Sequence, residues 1–422
     1  MKQEVLLTLF GALRTPRNLV FGAGQRAALP GYAAKLGRRA LVVTDARLSN
    51  EADFRKMVDG LASSGVAMHV FDGTIAELPL ECIAQGVEAG RKFGADLVIG
   101  IGGGSCLDAA KVCALLIAHK GKPSDYYGEF KVPGPILPLI LLPTTSGTGS
   151  EVTPVAVITD PDRAVKVGIA SPELICHTAI CDPELTYSCP PGLTAVSGAD
   201  ALTHAIEAYT TIRRTPTDTI VHDHVFLGKN ALSDAYALMA ISHISSSIKR
   251  AYDHGDDHTA RERLMLGATT AGLAFGTAGT AAAHAVQYPI GAMTHTAHGA
   301  GVAVMMPYVM ELNRNFCEPE LVEIGKAMGL DLQGRSSFDA ASETIDAVAA
   351  LFASIGIPKS IADLGIVEAQ LPQVAEQAMG SARLIKNNPR LLDPTVMTSL
   401  VGAAFTGDRI GLRNDAKAWK VN

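Results

Sequence analysis

Two pairs of side chains in this sequence are of the types that hold a divalent cation. Asp200 and His204 lie within Ser197-Gly198-Ala199-Asp200-Ala201-Leu202-Thr203-His204-Ala205-Ile206-Glu207. Ala, Leu and Ile are good helix formers and Ser197 stands where an N-cap would, so the stretch reads as the first turns of a helix. A spacing of four then puts the carboxylate and the imidazole on one face, which is half of a metal site. The plainer alternative is an acidic residue complementing the helix dipole and a histidine satisfied in the core. His284 and His298 form the second pair, in Ala283-His284-Ala285-Val286-Gln287-Tyr288-Pro289-Ile290-Gly291 and His295-Thr296-Ala297-His298-Gly299-Ala300-Gly301. Their surroundings carry little charge, so each imidazole needs a partner. One carboxylate and three neutral imidazoles suit Fe2+ or Zn2+ and leave a position open for a substrate oxygen.

Three glycine loops offer a second kind of chemistry. Gly22-Ala23-Gly24-Gln25-Arg26-Ala27 follows Asn18–Phe21 and fits a dinucleotide fingerprint ending in Ala, with Asp45 some twenty residues on. A strand-to-helix turn that needs small residues explains that loop equally, and is preferred. Gly102-Gly103-Gly104 is more telling, because it joins the apolar run Asp96–Ile101 to a helix expected to start at Ser105. There, backbone N–H groups and the helix N-terminus can receive a pyrophosphate. Asp108 and Lys111 follow at i, i+3, where a simple ion pair is the structural alternative. Pro143-Thr144-Thr145-Ser146-Gly147-Thr148-Gly149-Ser150-Glu151 closes the run Ile136–Leu142, at the strand edge where open α/β sheets bind ligands.

The elements that must position these residues fall into two kinds. Over residues 1–190, β-rich runs (Arg39–Thr44, Val66–Phe71, Leu97–Ile101, Ile136–Leu142) alternate with helical patterns (Asn50–Ser64, Pro79–Phe93). That alternation predicts βαβ units and a mostly parallel sheet with helices on both faces. After Cys189-Pro190-Pro191-Gly192, helical stretches take over: Leu193–Thr211, Asn230–Tyr252, Thr259–Leu273, Ser337–Ile355 and Thr395–Phe405. The fold class is therefore α/β, with a parallel-sheet dinucleotide-binding domain over 1–190 and an all-α metal- and substrate-binding domain over 191–422. A chain of 422 residues with 48% hydrophobic and 18% charged content can bury cores of this size. The net charge of −6 and the lack of a Lys/Arg run argue against nucleic acid as a partner. Seven cysteines without paired CxxC spacing argue against a disulfide framework. No signal-peptide pattern and no apolar run long enough to span a bilayer are found, so a cytoplasmic protein without a membrane partner is expected.

With these residues in view, the sequence resembles the iron-containing (group III) alcohol dehydrogenases. The resemblance is carried by GGGSxxDxxK at 102–111, PTTSGTGSE at 143–151, GADALTHAIEAY at 198–209 and HxxxxPxG…HG from 284 to 299, in family order. It extends over nearly the whole chain, through Asn388-Pro389-Arg390. It implies that Asp200, His204, His284 and His298 are the metal ligands through which catalysis runs, with Fe2+ (or Zn2+) as the ion. It also implies cofactor contacts at Asp45, Gly102, Gly103, Gly104, Ser105, Asp108, Thr144, Thr145 and Thr148, and a lysine near the cofactor at Lys166. The two-domain organisation is likewise the family's.

Two positions depart from the family pattern. Cys106 replaces a usual proline, where a small buried thiol is the simplest reading. Tyr288 stands four residues after His284, where many members carry a second histidine thought to relay the proton, and in this it resembles the hydroxyacid–oxoacid transhydrogenase branch. Its ring is expected to shape the pocket, with a proton-passing hydroxyl as the alternative. His222-Asp223-His224 and Asp253-His254-Gly255-Asp256-Asp257-His258 read as solvated helix ends, while His295 is expected to face the pocket.

The activity implied is hydride transfer between a small alcohol or hydroxy acid, or the matching aldehyde or oxoacid, and a nicotinamide. Asp45 favours NAD over NADP, and Arg47 weakens that preference. Rival readings are a transhydrogenase that turns over a hydroxyacid–oxoacid pair without added NAD, and a non-catalytic nucleotide sensor, against which the four retained ligands argue. A homo-oligomer is expected.

Overall fold

The computed structural model describes residues 9–163 and 166–419. Its first part runs β1 (Asn18–Phe21), α1 (Leu29–Leu36), β2 (Arg39–Val43), α2 (Ala52–Ser63), β3 (Ala67–Phe71), α3 (Leu80–Phe93), β4 (Leu97–Gly102), α4 (Gly104–Ala118), β5 (Gly128–Glu129), β6 (Leu139–Pro143), β7 (Val155–Ile158), β8 (Val167–Ala170) and β9 (Thr178–Cys181). Helices alone follow among the described residues: α5 (Pro191–Thr210), α6 (Ile220–Asp223), α7 (Ala231–Asp253), α8 (His258–Ala278), α9 (Ala282–Thr294) and α10 (His298–Ala327). The chain then continues through α11 (Ser337–Ser354), α12 (Leu371–Met379), α13 (Ala382–Asn387), α14 (Pro394–Thr406) and α15 (Arg409–Trp419). None of the described helices is long and apolar enough to cross a membrane.

Six strands form one wholly parallel sheet in the order β1-β9-β6-β4-β2-β3. Its strands are near-continuous apolar runs because both faces are covered. Leu41, Val43, Val98, Leu139 and Leu141 point to one face and pack with Ile83, Val87 and Leu107 of α3 and α4. Ala40, Val42, Leu97, Ile99, Ile140 and Leu142 point to the other and pack with Leu29, Phe54 and Leu61 of α1 and α2. The alternation follows from the two-residue period of a strand, so a one-residue slip would exchange the two cores. The chain winds outward from β2 to β3 and returns to β4 on the opposite side of β2. The carboxyl ends of β2 and β4 therefore flank the point where the winding reverses, where such sheets take up ligands.

Several local expectations shift. The strand expected over Ile136–Leu142 is paired only from Leu139, because Pro138 has no N–H to give the ladder. A small second sheet, β5-β8-β7, was not expected; its strands of two to four residues are too short to show a period. Ser197 is not an N-cap: α5 begins at Pro191, with proline in its first turn, and the Ser197 hydroxyl donates to Leu193 O at 2.7 Å inside the helix. The helices carrying the second histidine pair also lie outside the expected helical stretches. They contain Pro289, Pro307 and Pro319, and α10 breaks at Cys317 (φ −145, ψ 30) just before the last of these.

The loop after β6 joins the two parts closely. Gly149 has φ +59, and a Cβ there would sit 2.5 Å from Gly272 Cα in α8. Only glycine permits that backbone-on-backbone approach, which seats the 143–151 loop against the helical part.

Candidate functional site

The helical part brings three imidazoles around one carboxylate oxygen. Asp200 Oδ1 lies 3.6 Å from His204 Nε2, 3.8 Å from His284 Nε2 and 3.8 Å from His298 Nε2. These separations are too long for hydrogen bonds. They are close to the roughly 3.4 Å edge of a tetrahedron whose centre holds its ligands at about 2.1 Å. Asp200 Oδ1 and His284 Nε2 are buried and have no hydrogen-bond partner among the described residues. Buried polar atoms are rarely left so, and four donors aimed at a common point fit a divalent cation. Asp200, His204 and His284 offer ligand atoms within 4.8 Å of one another; His298, the most open of the four, reaches the group through Asp200.

Each donor is held by its element. Asp200, His204 and Glu207 lie on one face of α5, as spacings of four and three residues require. The His204 ring stacks on Phe275 of α8 at 4.1 Å and on His284 at 4.7 Å. His298 is the first residue of α10, and a Cβ on the following Gly299 would stand 2.0 Å from Val196 O in α5. Glycine at that position lets α10 abut α5 and present His298 to Asp200. Glu207 completes the arrangement: its Oε1 accepts from Ala283 N at 2.8 Å, and its Oε2 lies 2.6 Å from His284 Nδ1. The proton on Nδ1 is thereby fixed, leaving the Nε2 lone pair for the centre. Sequence reasoning assigned Glu207 no role, although its spacing from Asp200 and His204 was the available signal.

Burial sets the electrostatics. It pushes the Asp200 carboxyl up to about 6, with His284 and Lys166 opposing the shift. Burial, and then the neighbouring imidazoles, hold His204 well below its ordinary value; burial, His284 and Lys166 do the same for His298. At neutral pH these two imidazoles are therefore neutral and ready to donate. An unfolded aspartate titrates near 3.9, so between about pH 4 and 6 the cation-free fold holds a proton that the unfolded chain has lost. Its stability consequently falls as pH rises through that window, by on the order of 3 kcal/mol above pH 6. A bound cation removes this penalty.

Two clefts meet at these four side chains. One lies over the carboxyl ends of β2 and β4 and is lined by Asp45, Thr74, Gly103, Gly104, Ser105, Thr145 and Thr148, together with Asp200 and His298. The second is lined by Asp108, Lys166, Phe275, Tyr288 and Arg383, together with Asp200, His204, His284 and His298. Gly104, Ser105, Thr148, Asp200 and His298 line both. Helix α4 starts at Gly104 with Gly103 as its cap and no side-chain cap, so its first N–H groups are open to an anion in the first cleft. Asp45 Oδ1 accepts from Arg47 N and Leu48 N, both at 2.9 Å, while its Oδ2 has only the Cys106 thiol at 3.8 Å. Arg47 is ion-paired to Glu51.

The remaining candidates fall as follows. Gly102 ends β4, and its carbonyl accepts from Thr144 N at 2.9 Å; Thr144 is buried and lines neither cleft. Asp108 accepts from Ser150 Oγ at 2.5 Å and Val157 N at 2.9 Å, bracing the loop, and lies 3.9 Å from Lys111. Lys166 is ion-paired to Glu77. The Gly22–Ala27 turn has no vacancy for phosphate, because Asp182 already accepts from Gly24 N and Arg26 N. His295 was expected to face the pocket but is exposed and lines neither cleft: it caps α9 in the left-handed region, φ 55, which turns it outward. His222 is exposed on the short α6, as a solvated end should be. Cys106 is buried, with its thiol pushed up by that burial.

A family model described as iron-containing alcohol dehydrogenase matches residues 16–183, and one described as the C-terminal part of that family matches 194–405. The chain is 37% identical over 370 residues to long-chain-alcohol dehydrogenase 1 of Geobacillus thermodenitrificans, covering 87% of this chain and 89% of that one. It is 31% identical over 395 residues to sulfoacetaldehyde reductase of Bilophila wadsworthia, covering 93% and 98%. Among solved structures, a 1,3-propanediol oxidoreductase superposes with a TM-score of 0.87 at 30% identity, covering 94% of this chain and all of that one.

Two outcomes follow from the site's geometry. Affinity for Fe2+ in anaerobic titration should be flat above pH 6 and fall by about tenfold per unit as Asp200 takes up its proton below it. Glu207→Gln should lower that affinity by about 10–100-fold at pH 7, because His284 loses the carboxylate that fixes its tautomer.

Proposed function

This chain belongs to the iron-containing alcohol dehydrogenase family and is an oxidoreductase acting on CH–OH groups, and from that premise we propose how its residues divide the work. The observation that carries the proposal is the meeting of the two clefts, since a nucleotide in one and a substrate in the other would face each other across Asp200 and His298. The substrate is a small alcohol or the matching aldehyde, and the boundary between nucleotide and substrate domains falls near residue 190.

In this reading Asp200, His204, His284 and His298 hold one divalent cation. Fe2+ is the proposed ion on the family's description, and the same donors would accept Zn2+. The cation would supply Lewis acidity toward the alcohol oxygen, and the nicotinamide would exchange the hydride. The protein's part is orientation and exclusion of water. Asp200 contributes the negative charge of the donor set, and Glu207 keeps the proton on His284 Nδ1. Phe275 closes the cleft behind His204. The open amides of α4, with Ser105, Thr145 and Thr148 around them, receive the pyrophosphate. Tyr288 shapes the pocket: its ring packs 6.1 Å from that of His298, and burial raises its hydroxyl further above neutrality, making it a donor rather than a base.

NAD is the proposed cofactor over NADP. Asp45 Oδ2 is free to accept from ribose hydroxyls and would repel a 2′-phosphate, while the arginine that could have welcomed that phosphate is occupied by Glu51.

Two measurements test these assignments. His284→Ala should lose bound metal and NADH-dependent aldehyde reduction while keeping its far-UV circular dichroism; full metal content with wild-type turnover would contradict the four-ligand site. Asp45→Asn keeps an acceptor for the Arg47 and Leu48 amides and removes the charge, so the NADPH-to-NADH ratio of kcat/KM should rise by about tenfold or more. Equal use of both cofactors by the unaltered enzyme would rule out this role for Asp45.

A further inference from the structure

The wall of the substrate cleft contains a cation that has no counter-ion among the described residues. Arg383, in α13, lines the same cavity as His284 and Tyr288, and its guanidinium lies over the Phe226 ring at 4.3 Å. Its Nη1 is buried without a hydrogen-bond partner, and no carboxylate forms an ion pair with Arg383 among the described residues. The carboxylates near enough to act on it are Glu129 and Glu207. Neither carboxylate is at its disposal. Glu207 is committed to His284 and Ala283. Glu129 accepts from Val225 N at 3.0 Å and also faces Arg14 and Arg214. Three arginines thus share the influence of one carboxylate, a local excess of positive charge. The other cation on the cavity wall, Lys166, differs in being paired with Glu77.

A partly buried guanidinium with an enclosed, unpartnered nitrogen and no counter-ion is costly to keep, and a planar fork of N–H donors is matched by a planar or tetrahedral oxyanion. We propose that Arg383 binds an anionic group of the substrate, so that the enzyme's substrates are small aldehydes or alcohols carrying a carboxylate or sulfonate at the end away from the reacting carbon. This rests on the oxidoreductase reading of the same cleft and narrows it. The Phe226 ring supports the guanidinium from one side, and the unpartnered Nη1 is available to an incoming anion.

The test compares succinic semialdehyde with its neutral methyl ester, using metal-loaded wild type, Arg383→Gln and Arg383→Lys, each first checked for an unaltered thermal midpoint. Wild type should favour the anion by about tenfold or more in kcat/KM. Arg383→Gln should cut the anion-to-ester ratio by about a hundredfold, mainly through KM, and Arg383→Lys should recover part of it. Calorimetric binding of succinate and of ethanesulfonate to the holoenzyme reads the same site without turnover and separates the two head groups. Arg383-dependent binding of either supports the proposal, and if neither aldehyde were then reduced, the oxidoreductase reading would fall while the anion site stood. Reduction of both aldehydes with a ratio indifferent to Arg383, or a wild-type preference for the ester, would overturn the proposal and leave the oxidoreductase reading intact.

Discussion

Everything in the catalytic end of this molecule depends on a crowding that the protein alone does not satisfy. One oxygen of Asp200 is buried with three imidazole nitrogens 3.6–3.8 Å away, none close enough to bond to it. Burial raises the carboxyl and lowers the imidazoles of His204 and His298, so the fold sets a carboxylate and neutral nitrogens together in a place that suits a positive charge. Glu207 shows that the crowding is built in, since it spends both oxygens on orienting one of those nitrogens.

The two parts of the chain contribute to this place by different physics. The parallel sheet is held by its two apolar faces, and its winding reversal leaves a crevice between the ends of β2 and β4. The helical part supplies stiff elements whose side chains converge. Contact between them is made where Gly149 meets Gly272 and brings the loop after β6 onto α8; within the helical part, Gly299 against the Val196 carbonyl brings α10 onto α5. Those approaches bring Thr148 and the amides of α4 to the same point as Asp200 and His298.

Much of this was legible in the residues. The four-residue spacing of Asp200 and His204 survives as a shared face of α5, and the alternating runs around Leu41, Ile99 and Leu141 survive as the two cores of the sheet. What escaped had no period or no local signal. The strands of the second sheet are too short to show one, and the prolines of α9 and α10 hid the helices that carry His284 and His298. Arg383 escaped for another reason. Nothing in Ser381-Ala382-Arg383-Leu384 marks it, because its significance lies in Phe226 and the ligand histidines, which are distant in sequence and adjacent only in the fold.

The claim on which the account turns is that Asp200, His204, His284 and His298 surround a single divalent cation where the nucleotide and substrate clefts meet. Anomalous diffraction at the iron edge, on crystals of the iron-loaded protein grown with NAD, tests it most directly. The account predicts one strong peak at about 2.1 Å from Asp200 Oδ1 and from the Nε2 atoms of the three histidines. A peak bound elsewhere on the chain, or full density for the nucleotide with no metal among these four residues, would contradict it.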